Sequence, residues 1–511
     1  MRCNSRQAAR SASFGASFGA LLAASFAFSM SPSLAAQQLN ATQPATIPAG
    51  YRVETIPLPD GVAFGVGGLS FAPDGTLYIC TREGQVWTLA DDKWQLFADG
   101  LHEPLGIYVD PKSSKVFVVQ RPELTELIDQ DGDGRAERFR TVSAAWGLTN
   151  NYHEYAYGPV CDSKGNFYGT LNTTLSWPGW AGSDQWDVAR VHDGKMGRAA
   201  KYRGWSFRVT PDGTFEPWSS GLRSPAGIAI NAADELFCTD NQGDWVATSC
   251  LHVLRQGDFH GHPSSLTDHP KYAGLDLNTI SVETYGELRE PAAVNFPHGD
   301  LANSPGEPVV DDSNGKFGPF AGQMFVGDQT RSNVFRVVLD KVQGRYQGCA
   351  INFIDHLQSG IVRSRFANDG SLWVGQTGRG WRSRGKTTFG LERIVWDGVT
   401  VPFAIHSVRL TKTGFEVRFT RPADATSAAS KDAYRIDRWR YQHHPDYGSP
   451  KFDQTVQPVR KVELSADRMT AHLFTPLRAG TMHQFTIDVA AADGSELSSN
   501  VAWYTLNRLR K

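Results

Sequence analysis

The sequence predicts an all-β protein: a six-bladed β-propeller followed by a C-terminal β-sandwich of the immunoglobulin or fibronectin type. Three observations predict it. The chain has 511 residues, which is too long for one ordinary domain. Its 50 glycines and 14 tryptophans favour strands joined by tight turns over a helical bundle. A hairpin-like phrase also recurs along most of the chain.

Each copy of this phrase begins with glycine and apolar residues, passes a polar turn and ends in a short aromatic-rich strand. Alternating apolar residues predict half-buried strands, and Asp-Gly or Lys-Gly pairs predict the turn between them. Such hairpins cannot bury their inner faces alone, so their repetition predicts a propeller. Six copies predict six blades. They lie at 67–80, 105–119, 156–171, 226–240, 361–375 and, in a weaker form, 318–339.

The N-terminal segment, residues 1–36, predicts a secretory signal peptide. Arginines open it, an apolar stretch follows, and small residues precede a cleavage point after Ala35 or Ala36. The alternative is an uncleaved membrane anchor, although serine and glycine dilute the apolar stretch. The mature protein is therefore expected in the periplasm or outside the cell.

The remaining chain divides into two predicted domains. Residues 37–400 contain the repeated phrase and form the propeller. Residues 401–511 contain short alternating strands separated by polar turns, which is typical of a sandwich. No second hydrophobic span follows the signal, so we expect no membrane span after cleavage.

Charge and cysteine usage exclude several function classes. The chain carries 51 basic and 53 acidic side chains, which does not suit a nucleic-acid binder. No CxxCH motif occurs, so covalently attached c-type haem is not expected.

The strongest local motif is the acidic run DQDGDGRAE. Asp129, Asp131 and Asp133 alternate, a glycine allows a sharp turn, and Glu137 follows. Calcium takes about six to eight oxygen ligands, which such a loop can supply. Arg140 at the twelfth position excludes an EF-hand, and the motif looks like the shorter calcium loop of integrin-type propellers. The alternative to a structural calcium site is a solvated acidic turn.

Two further segments carry candidate channel residues. His153 stands just before a predicted strand, where a histidine at a blade entrance can act as a general base. Arg223 precedes a tight turn, and Gln242, Gly243 and Asp244 cluster where the next strand ends. The alternatives are a histidine bonded to a loop carbonyl and an arginine in a surface salt bridge.

The stretch from His153 through Trp396 resembles the glucose/sorbosone dehydrogenase superfamily, six-bladed propellers that include quinoprotein sugar dehydrogenases. It is most similar to propellers named as membrane-bound dehydrogenases in Planctomycetes and Verrucomicrobia. The likeness extends to the terminal sandwich. The shared phrases are YHEYAYGPVCDSKGNFYGTLN, GLRSPAGIAINAADELFCTDNQGDW, GKFGPFAGQMFVGDQTRSNVFRV and RGWRSRGKTTFGLERIVW.

The resemblance implies roles for individual residues. His153 falls on the family's catalytic histidine, which takes the hydroxyl proton as the substrate carbon gives up hydride, and Arg223 on an arginine that contacts cofactor and substrate. Gln242 and Gly243 match a pair whose backbone helps to hold the calcium that bridges pyrroloquinoline quinone (PQQ). Asp244 then replaces the family's proline.

Other family positions differ in this chain. Ser224 replaces the family's asparagine, and Thr330 stands at the cofactor-binding lysine, with Arg331 adjacent. A late pair of arginines is not reproduced, although Arg363 is near it. Arg331 and Arg363 are therefore expected to bind the cofactor, together with Gln242, Gly243 and Asp244. Half of the quinone-binding charges are therefore missing or moved.

The leading hypothesis is an exported sugar or polyol oxidoreductase that acts in the propeller channel and passes electrons to a separate acceptor. One alternative is a carbohydrate-binding or scaffolding propeller without redox chemistry. Another is a lyase or hydrolase that uses His153 with a carboxylate such as Glu154. The sandwich is expected to be a packing or adhesion module, and its YQHHPDYGSP segment, with His443 and His444, an exposed loop.

Overall fold

The computed structural model describes residues 46–176, 191–378 and 382–511. The predicted signal peptide, residues 1–36, lies outside the described residues. The described chain is nearly all β-structure. None of its helices has both the length and the apolar character needed to span a bilayer.

Strands follow one another along the whole described chain, as the alternating apolar pattern predicts. The first fifteen are β1 (Tyr51–Thr55), β2 (Val66–Phe71), β3 (Leu77–Thr81), β4 (Val86–Ala90), β5 (Lys93–Ala98), β6 (Ile107–Val109), β7 (Val116–Val119), β8 (Leu124–Ile128), β9 (Arg138–Ser143), β10 (Ala156–Cys161), β11 (Phe167–Leu171), β12 (Thr174–Leu175), β13 (Met196–Gly197), β14 (Trp205–Val209) and β15 (Phe215–Ser220). The next eleven are β16 (Pro225–Ile230), β17 (Leu236–Asp240), β18 (Cys250–Leu254), β19 (Val294–Asn295), β20 (Pro305–Val310), β21 (Met324–Asp328), β22 (Asn333–Val342), β23 (Arg345–Ile354), β24 (Ile361–Phe366), β25 (Leu372–Thr377) and β26 (Phe389–Trp396).

In the described part of the chain, 24 of these 26 strands form six antiparallel units of four, and β12 pairs with β13 in a separate two-stranded sheet. The units are β2 to β5, β6 to β9, β10-β11-β14-β15, β16 to β19, β20 to β23, and β24 to β26 completed by β1. The first strand of each unit contacts the first strand of the next, and β24 contacts β2. The units therefore close into a ring, which is the arrangement of a β-propeller.

Short helical segments interrupt this pattern. The helix α1 (Val282–Leu288) lies in the long connection between β18 and β19, after 3₁₀ turns at Pro263–Asp268 and Leu277–Thr279. Its N-cap is Ser281, whose hydroxyl accepts a hydrogen bond from the N–H of Thr284 at 3.2 Å. Another 3₁₀ turn is Val191–Asp193.

Glycines allow the inner strands to approach closely at the hub of the ring. A Cβ atom on Gly106 would lie 1.8 Å from the carbonyl oxygen of Gly158 on the next unit. A Cβ on Gly227 would lie 2.4 Å from Cα of Glu307, again on the next unit. Glycine is thus required at 106 and 227, where the backbones of neighbouring units meet.

Arg363 fills the hub of the ring. Its guanidinium donates to the carbonyl oxygens of Gly67 at 2.5 Å, Ala226 at 2.8 Å, Val362 at 2.6 Å and Leu105 at 3.2 Å. These carbonyls belong to four different units: three lie in inner strands, and that of Leu105 lies just before the inner strand β6. The sequence placed Arg363 among the cofactor-binding residues, but its donors are engaged by backbone, so it holds the blades together.

The C-terminal part of the chain, residues 401–511 and called the terminal domain below, contributes strands to two sheets. Its strands are β27 (Ile405–Leu410), β28 (Gly414–Phe419), β29 (Tyr434–Arg440), β30 (Phe452–Gln457), β31 (Lys461–Leu464), β32 (Thr470–Phe474), β33 (Thr481–Ile487) and β34 (Val501–Leu506). One sheet has the order β27-β28-β32-β31. A short helix α2 (Ala425–Ala429) and a 3₁₀ turn (Lys431–Ala433) connect β28 to β29.

The second sheet of the terminal domain continues a propeller unit. Its order is β34-β33-β29-β30, and β34 pairs with β23 from Gly348–Thr505 to Ile351–Ala502. Eight strands therefore run through both domains without a break in hydrogen bonding. Phe415, Phe485 and Tyr504 pack between the two terminal sheets with Cys349 of the propeller.

We expect Arg363→Met to lower the free energy of unfolding by about 2–4 kcal/mol, because buried carbonyl oxygens at the hub lose their donor. Urea denaturation followed by tryptophan fluorescence measures this change. The matched control is Arg52→Met on the exposed face of β1, where the effect should stay below about 1 kcal/mol. Equal stability of the two variants would contradict the role given to Arg363.

Candidate functional site at the channel face

His153 lies in the segment that leads into the inner strand β10. Its Nδ1 is 2.9 Å from the carbonyl oxygen of Thr173, and its Nε2 is 3.2 Å from the hydroxyl of Ser224. Because a carbonyl oxygen only accepts, Nδ1 carries the hydrogen and Nε2 keeps a lone pair. The imidazole is therefore held in the tautomer that a base acting through Nε2 requires.

The surroundings of His153 keep the imidazole neutral. Burial, together with the positive charge of Arg223, lowers its pKa to about 4. The hydrogen bond to Thr173 and the negative charge of Asp244 act in the opposite direction. Nε2 is therefore unprotonated over the whole neutral range.

Arg223 and Ser224 stand directly before the next inner strand, β16. The carboxylate of Asp240, at the end of β17, accepts their backbone N–H groups at 2.9 and 2.7 Å. Thr173 donates its own N–H and hydroxyl to the carbonyl oxygen of Arg223, at 3.0 and 2.7 Å. Thr173 thus contacts both His153 and Arg223, and the two predicted residues converge on one site.

The guanidinium of Arg223 forms a buried ion pair with Asp244. Its Nε donates to Oδ1 at 2.9 Å, while Oδ2 accepts the N–H of Met196 at 2.9 Å and lies 3.5 Å from Nε2 of His262. Burial alone would raise the pKa of Asp244, but Arg223 and His262 hold it below its ordinary value. Burial likewise opposes the charge on Arg223, and Asp244 outweighs it, so the pKa of Arg223 is raised.

Gly243 provides the space in which the guanidinium lies. A Cβ atom at this position would be 1.9 Å from Cζ of Arg223, inside the side chain itself. The Gln-Gly-Asp sequence therefore has a steric reason: glycine admits the arginine, and the following aspartate pairs with it.

The residues expected to hold calcium and PQQ do not fit that role in this arrangement. The carbonyl oxygen of Gly243 already accepts N–H groups from Val246 at 3.1 Å and Gly448 at 3.0 Å. The side chain of Gln242 donates to a neighbouring carbonyl at 3.2 Å, and both oxygens of Asp244 are engaged. Calcium needs several free oxygens, and those of Gly243 and Asp244 are already engaged.

The other predicted cofactor contact lies on a neighbouring unit. Arg331 follows β21, and its guanidinium donates to the carbonyl oxygen of Gly299 at 2.5 Å. Thr330, at the position of the family's lysine, donates its hydroxyl to Ser304 at 3.2 Å. Its side chain cannot supply the positive charge that a carboxylate-bearing quinone requires there.

Glu154 is fully buried next to His153 in the sequence, and its carboxylate binds groups of the surrounding loop. Its carboxylate accepts the N–H of Thr149 at 2.6 Å, the hydroxyl of Thr149 at 2.9 Å and the hydroxyl of Thr174 at 2.6 Å. These contacts fix the segment that carries His153 and leave Glu154 unsuited to act as a second catalytic carboxylate.

The acidic motif forms a separate cluster in the connection between β8 and β9, the third and fourth strands of their unit. Ligand oxygens from all four acidic residues lie within 4.8 Å of one another: Asp129, Asp131, Asp133 and Glu137. The N–H groups of Gly132 and Gly134 donate to Asp129 at 2.7 and 2.9 Å and fold the loop around it. The predicted residues are thus brought together, at a position suited to a structural rather than a catalytic metal.

The site formed by His153, Thr173, Arg223 and Asp244, together with Asp240 and Tyr447, is called the channel-face site below. Sequence reasoning missed three parts of it. Thr173 orients His153 through its backbone carbonyl, and a backbone group leaves no signal in residue type. Asp240 accepts both N–H groups before β16, a role that its residue type does not indicate. Tyr447, from the terminal domain, lies over the guanidinium of Arg223 with its ring centroid 5.3 Å from Cζ.

A family model described as a domain of unknown function, DUF7133, matches residues 90–377. The chain belongs to this family. The match runs from the first unit of the ring to β25 and includes every residue of the channel-face site except Tyr447. A comparison with curated proteins finds no match.

Several solved structures are similar to the chain. PQQ-bound aldose sugar dehydrogenase from Streptomyces coelicolor is 15% identical, with 68% of this chain and 99% of that chain covered and a TM-score of 0.48. Apo aldose sugar dehydrogenase from Escherichia coli is 16% identical over 67% and 99%, with a TM-score of 0.46. The PQQ domain of pyranose dehydrogenase from Coprinopsis cinerea is 12% identical over 69% and 97%, with a TM-score of 0.49. At this similarity, chemistry has to be argued from the chain's own residues.

We expect Gly243→Ala to lower the free energy of unfolding by about 2–4 kcal/mol, because the new methyl displaces Arg223 and breaks its buried pair with Asp244. Urea denaturation measures the loss. The control is Gly286→Ala in α1, where the nearest atom is 3.9 Å from the new Cβ and a gain of about 0.5–1 kcal/mol is expected. A Gly243→Ala protein as stable as the native one would refute this steric role.

Proposed function

We propose that the chain is an exported sugar or polyol oxidoreductase, built on a six-bladed propeller with a C-terminal β-sandwich. The reaction would take place at the channel face, between His153 and Arg223. The observation that carries this proposal is the neutral tautomer of His153. Its Nε2 lone pair faces the hydroxyl of Ser224, next to the buried guanidinium of Arg223.

In this proposal His153 removes the proton from a substrate hydroxyl through Nε2. The carbonyl of Thr173 keeps Nδ1–H in place and stabilises the imidazolium that forms. Asp244 fixes Nε of Arg223, so the remaining edge of the guanidinium can stabilise developing oxyanion charge.

The carbon that bears this hydroxyl loses hydride while the oxygen loses its proton. An electron acceptor is therefore needed. The occupied oxygens of Gly243 and Asp244 and the neutral Thr330 argue against PQQ with calcium as that acceptor. We therefore propose a separate acceptor molecule that reaches the open channel face.

A second candidate is a carbohydrate-binding propeller without redox chemistry. One observation favours it: Arg223 and Asp244 neutralise each other, which suits recognition of an uncharged polyhydroxyl ligand. A lyase or hydrolase that uses Glu154 is less well supported, because the carboxylate is engaged by Thr149 and Thr174.

Purified protein is assayed with aldoses and polyols and an artificial redox dye, with and without PQQ and calcium. We expect dye reduction that His153→Gln lowers by about 10²–10⁴-fold, as loss of a general base does. His472→Gln, in the terminal domain, is the control and should retain activity. Carbohydrate binding without dye reduction under any condition would favour the second candidate over the first.

The pH profile provides a separate check. Because the pKa of His153 is lowered to about 4, its base form persists in mildly acidic solution, and the fall in rate caused by protonation of His153 should occur as pH drops through about 4. Burial raises the pKa of Asp240 to about 6, so a second inflection there is attributed to that carboxyl. NMR titration of labelled histidine, assigned with His153→Gln, follows the imidazole itself. Protonation of His153 near pH 6.5 would contradict the environment described here.

We also propose that Asp129, Asp131, Asp133 and Glu137 bind calcium in a structural role. A ligand at about 100 times its Kd stabilises the folded state by about 2.7 kcal/mol, so calcium should raise the Tm and a chelator should reverse the rise. Asp131→Asn should abolish the calcium effect. Asp74→Asn, in an exposed Asp-Gly turn of another hairpin, should preserve it. A Tm that calcium leaves unchanged would rule out the site.

A further inference from the structure

One connection of the terminal domain leaves its sheet and lies across the propeller. Residues 441–451 join β29 to β30, and their backbone bonds to the loop that follows β17. The N–H of Trp245 donates to the carbonyl of His444 at 2.9 Å, and the N–H of Gly448 donates to the carbonyl of Gly243 at 3.0 Å. The N–H of Ser449 donates to Ala247 at 2.8 Å. The segment expected to be an exposed loop is therefore docked on the candidate site.

Side chains hold this connection in one position. Nε2 of His443 lies 3.1 Å from the carbonyl oxygen of Gly261, and its ring is 4.9 Å from that of the buried Trp245. Burial lowers the pKa of His443 to about 3, so the imidazole is neutral and donates to that carbonyl. Gly448 has a φ of +67°, and a Cβ there would lie 2.5 Å from Nε2 of Gln242.

The docked connection places Tyr447 over the catalytic candidate Arg223. The ring centroid is 5.3 Å from the guanidinium carbon, and the backbone of Tyr447 bridges to that of Asp244. Despite these contacts the tyrosine is 57% exposed. Backbone hydrogen bonds on both sides of Tyr447 tie this segment to the propeller loop, so the exposed aromatic surface stands at the rim of the site.

We propose that Tyr447 is a substrate-contacting residue that stacks against the ring of a cyclic sugar, so that the terminal domain completes the propeller's site. An aromatic ring offers a flat apolar surface to the C–H groups of a sugar ring, while its hydroxyl remains available for hydrogen bonding. The neighbouring Arg223 and His153 then face the sugar's hydroxyl groups. This inference rests on the proposed function, since it names the substrate class of the same site.

The test compares cyclic and acyclic ligands. Binding of D-glucose, D-xylose and sorbitol to the full-length protein is measured by isothermal titration calorimetry, and KM and kcat are measured wherever dye reduction occurs. Tyr447→Ala should weaken glucose and xylose binding about three- to tenfold, and it should raise KM more than it lowers kcat. Tyr447→Phe keeps the ring and should stay near the native value. Sorbitol, which has no ring, should be affected least.

The matched control is Phe139→Ala, which removes an exposed aromatic residue from β9, 43% exposed. Unchanged sugar binding by Tyr447→Ala, in a protein with native Tm, overturns the inference and leaves the proposed function standing. Absence of binding to all three ligands by the native protein overturns both. Equal weakening for glucose and sorbitol also overturns the inference, because it shows a general effect on the site in place of ring stacking.

Discussion

The close approach of the inner strands at the hub is the constraint on which the rest of the structure depends. Only glycine fits where neighbouring backbones meet, as at Gly106 and Gly227, and the remaining space is filled by the guanidinium of Arg363. Carbonyl groups from several units share this one cation, so the ring is held by hydrogen bonds at its centre as well as by apolar contacts between blades. A hub that is filled in this way leaves the chemistry to the face of the ring.

The same geometry explains why residues distant in sequence meet. Loops that precede inner strands converge on the hub from every unit, so His153 before β10 and Arg223 before β16 become neighbours. Thr173 contacts both and fixes their spacing. The buried charge on Arg223 lowers the pKa of His153, and Asp244 neutralises part of that charge, so the site maintains a neutral base next to a cation.

Continuity of hydrogen bonding joins the two domains. The strand β34 extends the sheet of β20 to β23, so the terminal domain cannot rotate independently without breaking a ladder of backbone bonds. This fixed orientation is what allows the connection around Tyr447 to reach a loop of another unit. The terminal domain is thus better understood as part of the site's architecture than as a separate module.

The sequence by itself determined the all-β class, the repeated hairpins and the change of pattern near residue 400, because these depend on local alternation and turn residues. Five of the six phrases are the first two strands of a unit, whereas the phrase at 318–339 contains β21 and β22. The inner strand β20 was missed because its prolines and glycine interrupt the alternation.

Only the tertiary structure decided that Arg363 belongs to the hub, that Gly243 and Asp244 contact Arg223, and that Tyr447 reaches the site. Each of these depends on which backbone lies beside which, and that is set by closure of the ring.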